Sequence, residues 1–176
     1  MRNVLLLDDE INVLYALKRT LRLWYPTNDF RVALFTDPEQ ALLRSADLTF
    51  DIVISDYKMP GMNGADFLQI MKKLQPDAVR IVLSASIDIA EVMDSVNRAE
   101  VFRYIAKPWT AEELKKTFEL AFARRDQAIE LGRLATELRV KSDQLTPQEL
   151  EATRLEAEEP GITQVNWGSD GSVHLS

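Results

Sequence analysis

Two hydrophobic periods alternate through the first 120 or so residues, and this alternation constrains the fold more than any other feature. Five short apolar runs, Val4–Leu7, Val32–Phe35, Ile52–Ser55, Ile81–Ser84 and Phe102–Ala106, are rich in Val, Ile, Leu and Phe. Continuous runs of this length predict strands buried on both faces, as in a parallel sheet. Between them the spacing turns helical. Val13, Leu14, Leu17, Leu21 and Trp24 form one stripe, and Phe67, Leu68, Met71 and Leu74 another. Pro38–Ser45 starts with proline at a first helical position after Asp37. Ile89, Val92, Met93 and Val96 predict a fourth helix, and Thr110 with Glu113 in capping-box spacing opens a fifth at Ala111. Strand and helix in strict alternation imply right-handed crossovers, and so a doubly wound α/β domain with a five-stranded parallel sheet covered on both sides.

The helix from Ala111 runs on past the point where a small domain would stop it. No helix-breaking pair of residues interrupts it before Thr146-Pro147, and Gly132 is isolated. Phe118, Phe122, Arg125 and Ile129 make one stripe; Leu131, Leu134, Leu138 and Leu145 make another on heptad spacing, with Lys141 in the remaining seam position. The change of phase predicts that the first part packs on the domain and the second on something else. Thr146-Pro147-Gln148-Glu149 restarts a helix that ends near Glu159-Pro160-Gly161. Residues 162–176 predict a hairpin: Val165 and Trp167 share one parity, Val173 and Leu175 another, around Gly168-Ser169-Asp170-Gly171. The expected organisation is a domain over 1–122, a helical or coiled-coil extension over 123–159 and a hairpin tail over 160–176.

Composition excludes several classes. There is no cysteine among the 176 residues, so neither a disulfide framework nor a Cys-based zinc site can form, which fits the cytoplasm. No run of about 18 apolar residues predicts a transmembrane helix, and Met1–Asp9 turns acidic too soon for a signal peptide. The net charge of −7 argues against direct nucleic-acid binding. It is spread along the chain: residues 1–122 carry 15 basic and 18 acidic residues, and residues 123–176 carry 6 and 10.

In open α/β sheets sites form beyond the carboxyl ends of the strands. Here the first run ends in Asp8-Asp9, the third in Asp56 and the fourth in Ser84, and the fifth is followed by Lys107-Pro108. Any one of these alone reads as a cap or a turn; their recurrence at successive strand ends points to chemistry. Crowded carboxylates suit a hard divalent cation, Mg²⁺ for a site that handles phosphate. Asp56 could then act as a nucleophile toward a phosphoryl group, while the metal, Lys107 and the Ser84 hydroxyl neutralise the phosphoryl oxygens. Pro60, Gly61 and Gly64 form a tight loop through which backbone could approach the site.

The blocks Val4–Glu10, Asp51–Gly64, Leu83-Ser84-Ala85 and Tyr104–Pro108 resemble the signature blocks of two-component response-regulator receiver domains, in order and spacing, over about residues 2–122. The resemblance implies a flavodoxin-like sheet in the order 2-1-3-4-5 and phosphorylation of Asp56 by a sensor histidine kinase or phosphotransfer protein. It implies Mg²⁺ held by Asp9, Asp56 and the backbone carbonyl of Lys58, with Asp8 helping through water. Lys107 would contact the phosphoryl group, Ser84 would move toward it, and Tyr104 would turn inward as the coupled switch, by a shift between two existing states. Such a protein is a phosphoacceptor switch rather than an enzyme. Lys58 and Ser86 fall where this family tunes the lifetime of the phosphorylated state. A magnesium-dependent phosphatase of small molecules generally has an Asp two residues after its nucleophile; Lys58 stands there and argues against that reading.

The wording Phe102-Arg-Tyr-Ile-Ala-Lys-Pro-Trp109 is similar to receivers attached to enhancer-type transcription activators and to cyclic-dinucleotide phosphodiesterases. The sequence has no Walker motif, no helix-turn-helix with a basic face and no His-Asp metal cluster, and its single histidine, His174, reads as a hairpin surface residue. The region after 122 is expected to make a homodimer by a two-helix coiled coil and to dock an output protein. The competing readings are a stand-alone phosphoryl carrier or sink and the receiver part of a longer regulator.

Overall fold

The structure is a computed structural model that describes residues 1–25, 30–85 and 99–144, together with 154–155, 166–167 and 173–174. The chain divides into two compact units, Met1–Ile129 and Glu130–Ser176.

In the first unit, β1 (Arg2–Leu7), β2 (Phe30–Phe35), β3 (Ile52–Asp56), β4 (Val79–Ser84) and β5 (Arg103–Ala106) form one parallel sheet in the order β2-β1-β3-β4-β5, the flavodoxin-like order. The helices are α1 (Ile11–Trp24), α2 (Pro38–Asp47), α3 (Gly64–Leu74) and α4 (Ala111–Gln144). The period of two along the strands sorts their side chains between two cores. Val4, Leu6, Ile52, Ile54, Ile81 and Leu83 pack with Leu14, Leu17 and Leu21 of α1 and Leu114, Phe118 and Phe122 of α4. Leu5, Leu7, Val53 and Val82 pack on the other face with Ala41 of α2 and Phe67, Leu68 and Met71 of α3. Central strands β3 and β4 are buried throughout. The expectation of full burial fails for β2 and β5, most of whose residues are partly or fully exposed. The strand order puts both at the sheet edges, where one flank has no neighbouring strand.

Local chemistry accounts for the helix starts. Asp37 caps α2 by accepting the Glu39 amide at 2.9 Å, with Pro38 in the first turn. Asn63 caps α3 through the Asp66 amide at 2.9 Å. Thr110 Oγ1 accepts from the Glu113 amide at 3.1 Å, the expected half of a capping box. Buried Gln75 fastens three segments: its Oε1 accepts from the Phe50 amide at 2.8 Å, and its Nε2 donates to the carbonyls of Ser45 and Leu48.

The stripe Phe118, Phe122, Arg125, Ile129 faces the domain only in part: the phenylalanines are buried, Arg125 is held by ion pairs, and Ile129 is 51% exposed. The predicted helix with Ile89, Val92, Met93 and Val96 lies outside the described residues, as does most of the 146–159 helix. In the second unit β6 (Asn166–Trp167) and β7 (Val173–His174) pair antiparallel, the expected hairpin, while its turn, Gly168–Gly171, lies outside the described residues.

Candidate functional site

The sheet register collects the predicted residues at one rim. Leu7 pairs with Ser55, Asp56 with Leu83, and Ser84 with Ala106, so the last residues of β3 and β4 and those just after β1 and β5 emerge together. Asp8 is fully buried, and its amide donates to the Phe35 carbonyl at 3.2 Å. Its Oδ1 accepts from the Glu10 amide at 3.0 Å and its Oδ2 from Lys107 Nζ at 2.6 Å. Asp56, 5% exposed, lies 2.5 Å from the same Nζ. One lysine therefore joins two buried carboxylates from different strands. Lys107 is set by its own amide, which donates to the Ser84 carbonyl at 2.8 Å, and the Lys107–Pro108 peptide is cis.

Ser84 is 1% exposed and sits next to the pair on β4. Tyr104 packs partly buried against the second core, and its hydroxyl donates to the Ser84 carbonyl at 3.3 Å. The two predicted switch residues thus meet. Lys58 is exposed, and its backbone hydrogen-bonds to the Asp56 carboxylate.

Asp9 differs from Asp8 in burial. It is exposed, because it follows buried Asp8 at a chain position that turns toward solvent. Among the described residues no group of three or more His, Cys, Asp or Glu is placed to hold a metal. The donor set still fits a hard cation. Two buried carboxylates share one ammonium, which leaves an uncompensated negative charge in a low-dielectric site, and all the anionic donors are oxygens.

The electrostatics follow from burial. Burial pushes the Asp56 carboxyl above the usual carboxylate range; hydrogen bonding and charge from Lys107 oppose this without cancelling it, and Asp8 adds to it. For Lys107 burial works against the charge, but hydrogen bonds to Asp56 and Asp8 outweigh it and raise the pKa. The lysine remains a cation at neutral pH. The ionised form of Asp56 is held at a cost, which makes that carboxylate the more basic and nucleophilic.

The loop after β3 needs glycine at 64. A Cβ there would lie 1.9 Å from the Asp56 carbonyl oxygen, and the Gly64 amide donates to the Tyr57 carbonyl at 2.9 Å. Gly61, at φ 80°, supplies the left-handed turn ahead of it. The sequence indicated both. It did not indicate Asp51, whose carboxylate accepts from the Asn3 amide at 2.8 Å and from Arg125 Nε at 3.1 Å. The only signal was an acidic residue just before a buried strand.

A 2-1-3-4-5 parallel sheet with a lysine-bridged pair of aspartates at its carboxyl rim defines a doubly wound α/β domain with an acidic site at the switch in strand order. Residues 4–119 match the response regulator receiver domain, and the chain belongs to that family. The hydrogenase transcriptional regulatory protein HoxA of Cupriavidus necator is 32% identical over 139 residues, which cover 79% of this chain and 28% of that protein. The chain spans well under half the length of HoxA and of two other transcriptional and two-component regulators similar to it, about a quarter to a third of each. The signal receiver domain of an HD domain-containing protein from Pseudomonas fluorescens Pf-5 is similar with TM-score 0.68 and 28% identity, over 73% of this chain and 92% of that one. The response regulator TrrA of Thermotoga maritima, solved in complex with Mg(2+)-BeF, is similar with TM-score 0.59 and 26% identity, over 69% of this chain and 99% of that one.

Proposed function

We propose that Asp56 accepts a phosphoryl group from a sensor histidine kinase or phosphotransfer protein and that the chain signals the change by protein–protein contact. The observation that carries this reading is the single cation of Lys107 shared by buried Asp56 and Asp8. An Asp56 carboxylate oxygen would form the bond to phosphorus as the bond from phosphorus to the donor's histidine nitrogen breaks, leaving an acyl phosphate on Asp56 and a neutral histidine on the donor. Lys107 is already hydrogen-bonded to that carboxylate and would follow the charge onto the phosphoryl oxygens. Asp8, Asp9, Asp56 and the Lys58 carbonyl would hold Mg²⁺, which, when bound, neutralises phosphoryl charge.

Ser84 and Tyr104 would report the event, since the tyrosine hydroxyl already rests on the Ser84 backbone. A serine drawn toward the phosphoryl group would shift that contact and bias a two-state equilibrium. Output would pass through the extension as a homodimer, a reading favoured by the exposure of Leu131 (67%), Leu134 (41%) and Leu138 (67%) on a helix that continues past the domain. This reading has the exchange with a kinase take place in the cytoplasm. No described helix is long and apolar enough to cross a membrane.

Labelling with radioactive acetyl phosphate and Mg²⁺ tests the site. The native chain should take up label and Asp56→Asn should take up none. Label retained by the variant would mean another acceptor.

A further inference from the structure

At the end of the sheet opposite Asp56, a cavity of about 520 Å³ opens between the starts of β4 and β5 and helix α4. Its size suits a small molecule. Arg80 lines it although the residue is only 6% exposed. An arginine within a buried parallel strand is unusual, since a buried guanidinium needs partners for five N–H groups. Three are accounted for: Nε donates to the Ala99 carbonyl at 2.8 Å, and Nη1 donates to the Pro76 and Ala78 carbonyls at 3.1 and 2.8 Å. Among the described residues Nη2 has only Glu100, at 3.9 Å, beyond hydrogen-bond reach.

The acidic residues around the cavity are matched by cations of their own. Glu100 is paired with Lys72 at 2.6 Å, and Asp77 lies 3.8 Å from Arg125. That leaves Arg80 and, on α4, Arg124, which makes no ion pair among the described residues. Phe102, 37% exposed, and Val101 supply an apolar wall. Two guanidinium groups beside an aromatic face are a recognition pattern for an anionic head attached to a flat apolar body.

We propose that this cavity binds a small organic anion, its charged oxygens taken by Arg80 Nη2 and Arg124 and its apolar body laid on Phe102. The proposal is independent of the phosphoacceptor reading. Arg80 lies four residues before Ser84 on the same strand, and Arg124 and Ala128 are on α4 just before the first unit ends at Ile129. An occupied cavity would therefore act on α4 from the end of the sheet that phosphorylation does not reach.

The test is a titration of the full ¹⁵N-labelled chain, without Mg²⁺, with phenyl phosphate and with benzoate. Inorganic phosphate serves as the head alone and benzyl alcohol as the body alone. Saturable shifts are expected at the Arg80 Nε–Hε and at the amides of residues 100–102 for phenyl phosphate, benzoate or both, which tells a phosphate site from a carboxylate site. Head and body alone should bind at least about tenfold more weakly. Arg124→Ala, an exposed change that leaves the fold intact, should weaken binding about fivefold, and Phe102→Ala should do so as well. No saturation by about 10 mM, the same affinity in both variants, or shifts confined to the surroundings of Asp56 and Lys107 would overturn the proposal.

Discussion

Asp56 and Lys107 show how one pair can set chemistry and stability against each other. The Asp56 carboxyl is raised by burial, so above its folded pKa the native state carries a carboxylate that the unfolded chain hydrates better. Below the ordinary carboxylate range both states are protonated and the difference vanishes. Asp56→Asn should therefore raise Tm at pH 7, with the gain shrinking toward pH 3, as thermal melts across that range would show. A gain that grows toward acid would contradict the burial argument. Lys107 has the opposite sign. Its raised pKa contributes stability that is complete below the ordinary lysine range and is lost as the pH climbs through the elevated value. Lys107→Ala leaves two buried carboxylates facing each other. Removing one partner of a fully buried pair costs about 3–5 kcal/mol; with the lysine side chain 16% exposed, about 2–3 kcal/mol is expected. Millimolar Mg²⁺ should restore part of the loss in denaturant melts, and a variant indifferent to Mg²⁺ would argue against a cation site between Asp8 and Asp56.

Among the elements, α4 is the one whose attachment most concerns signalling. Arg125 reaches down to Asp51 before β3 and donates to the Asp77 carbonyl at 3.2 Å before β4, while Arg2 of β1 reaches up to Asp126 at 2.8 Å and lies over the Phe122 ring at 4.6 Å. The two pairs run in opposite senses, a helix cation to a domain anion and a domain cation to a helix anion, a few residues before the first unit ends. They are not of equal weight. Arg125 and Asp51 are 12% and 18% exposed and share hydrogen bonds with backbone, whereas Arg2 and Asp126 are 42% and 54% exposed and so contribute little. Arg125→Ala should cost about 2 kcal/mol and should speed amide exchange at residues 126–129. Arg2→Ala should do much less by either measure. Equal effects would show that the exposed pair, not the buried one, fixes the helix.

At the scale of the whole molecule, the question is what covers the leucines beyond residue 130. Leu131, Leu134 and Leu138 are exposed on a helix stabilised by local pairs such as Arg133 with Glu130 and Glu137. Such pairs hold a helix in shape without burying its apolar stripe. If that stripe is the seam of a two-helix coiled coil, sedimentation should give a dimer for the full chain and a monomer for residues 1–129, which contain the entire sheet and both cores. A monomer in both cases would sink the coiled-coil reading and leave the carrier or sink.

The sequence by itself determined the layered parallel sheet, the helix caps at Asp37 and Thr110, and the strand-end positions of Asp8, Asp56, Ser84 and Lys107. These are local matters: hydrophobic period, cap chemistry and the offset of a polar residue from an apolar run are all carried by neighbours in the chain. Only the tertiary structure decided that Asp8 and Asp56 are buried and share Lys107 while Asp9 stays exposed, that Tyr104 rests on Ser84, that Asp51 receives Arg125 from 74 residues further on, and that Arg80 is buried beside a cavity. Each of these depends on strand order and register, which fix which ends become neighbours. Burial then decides which of several charged residues is paid for by a partner and which stays in water.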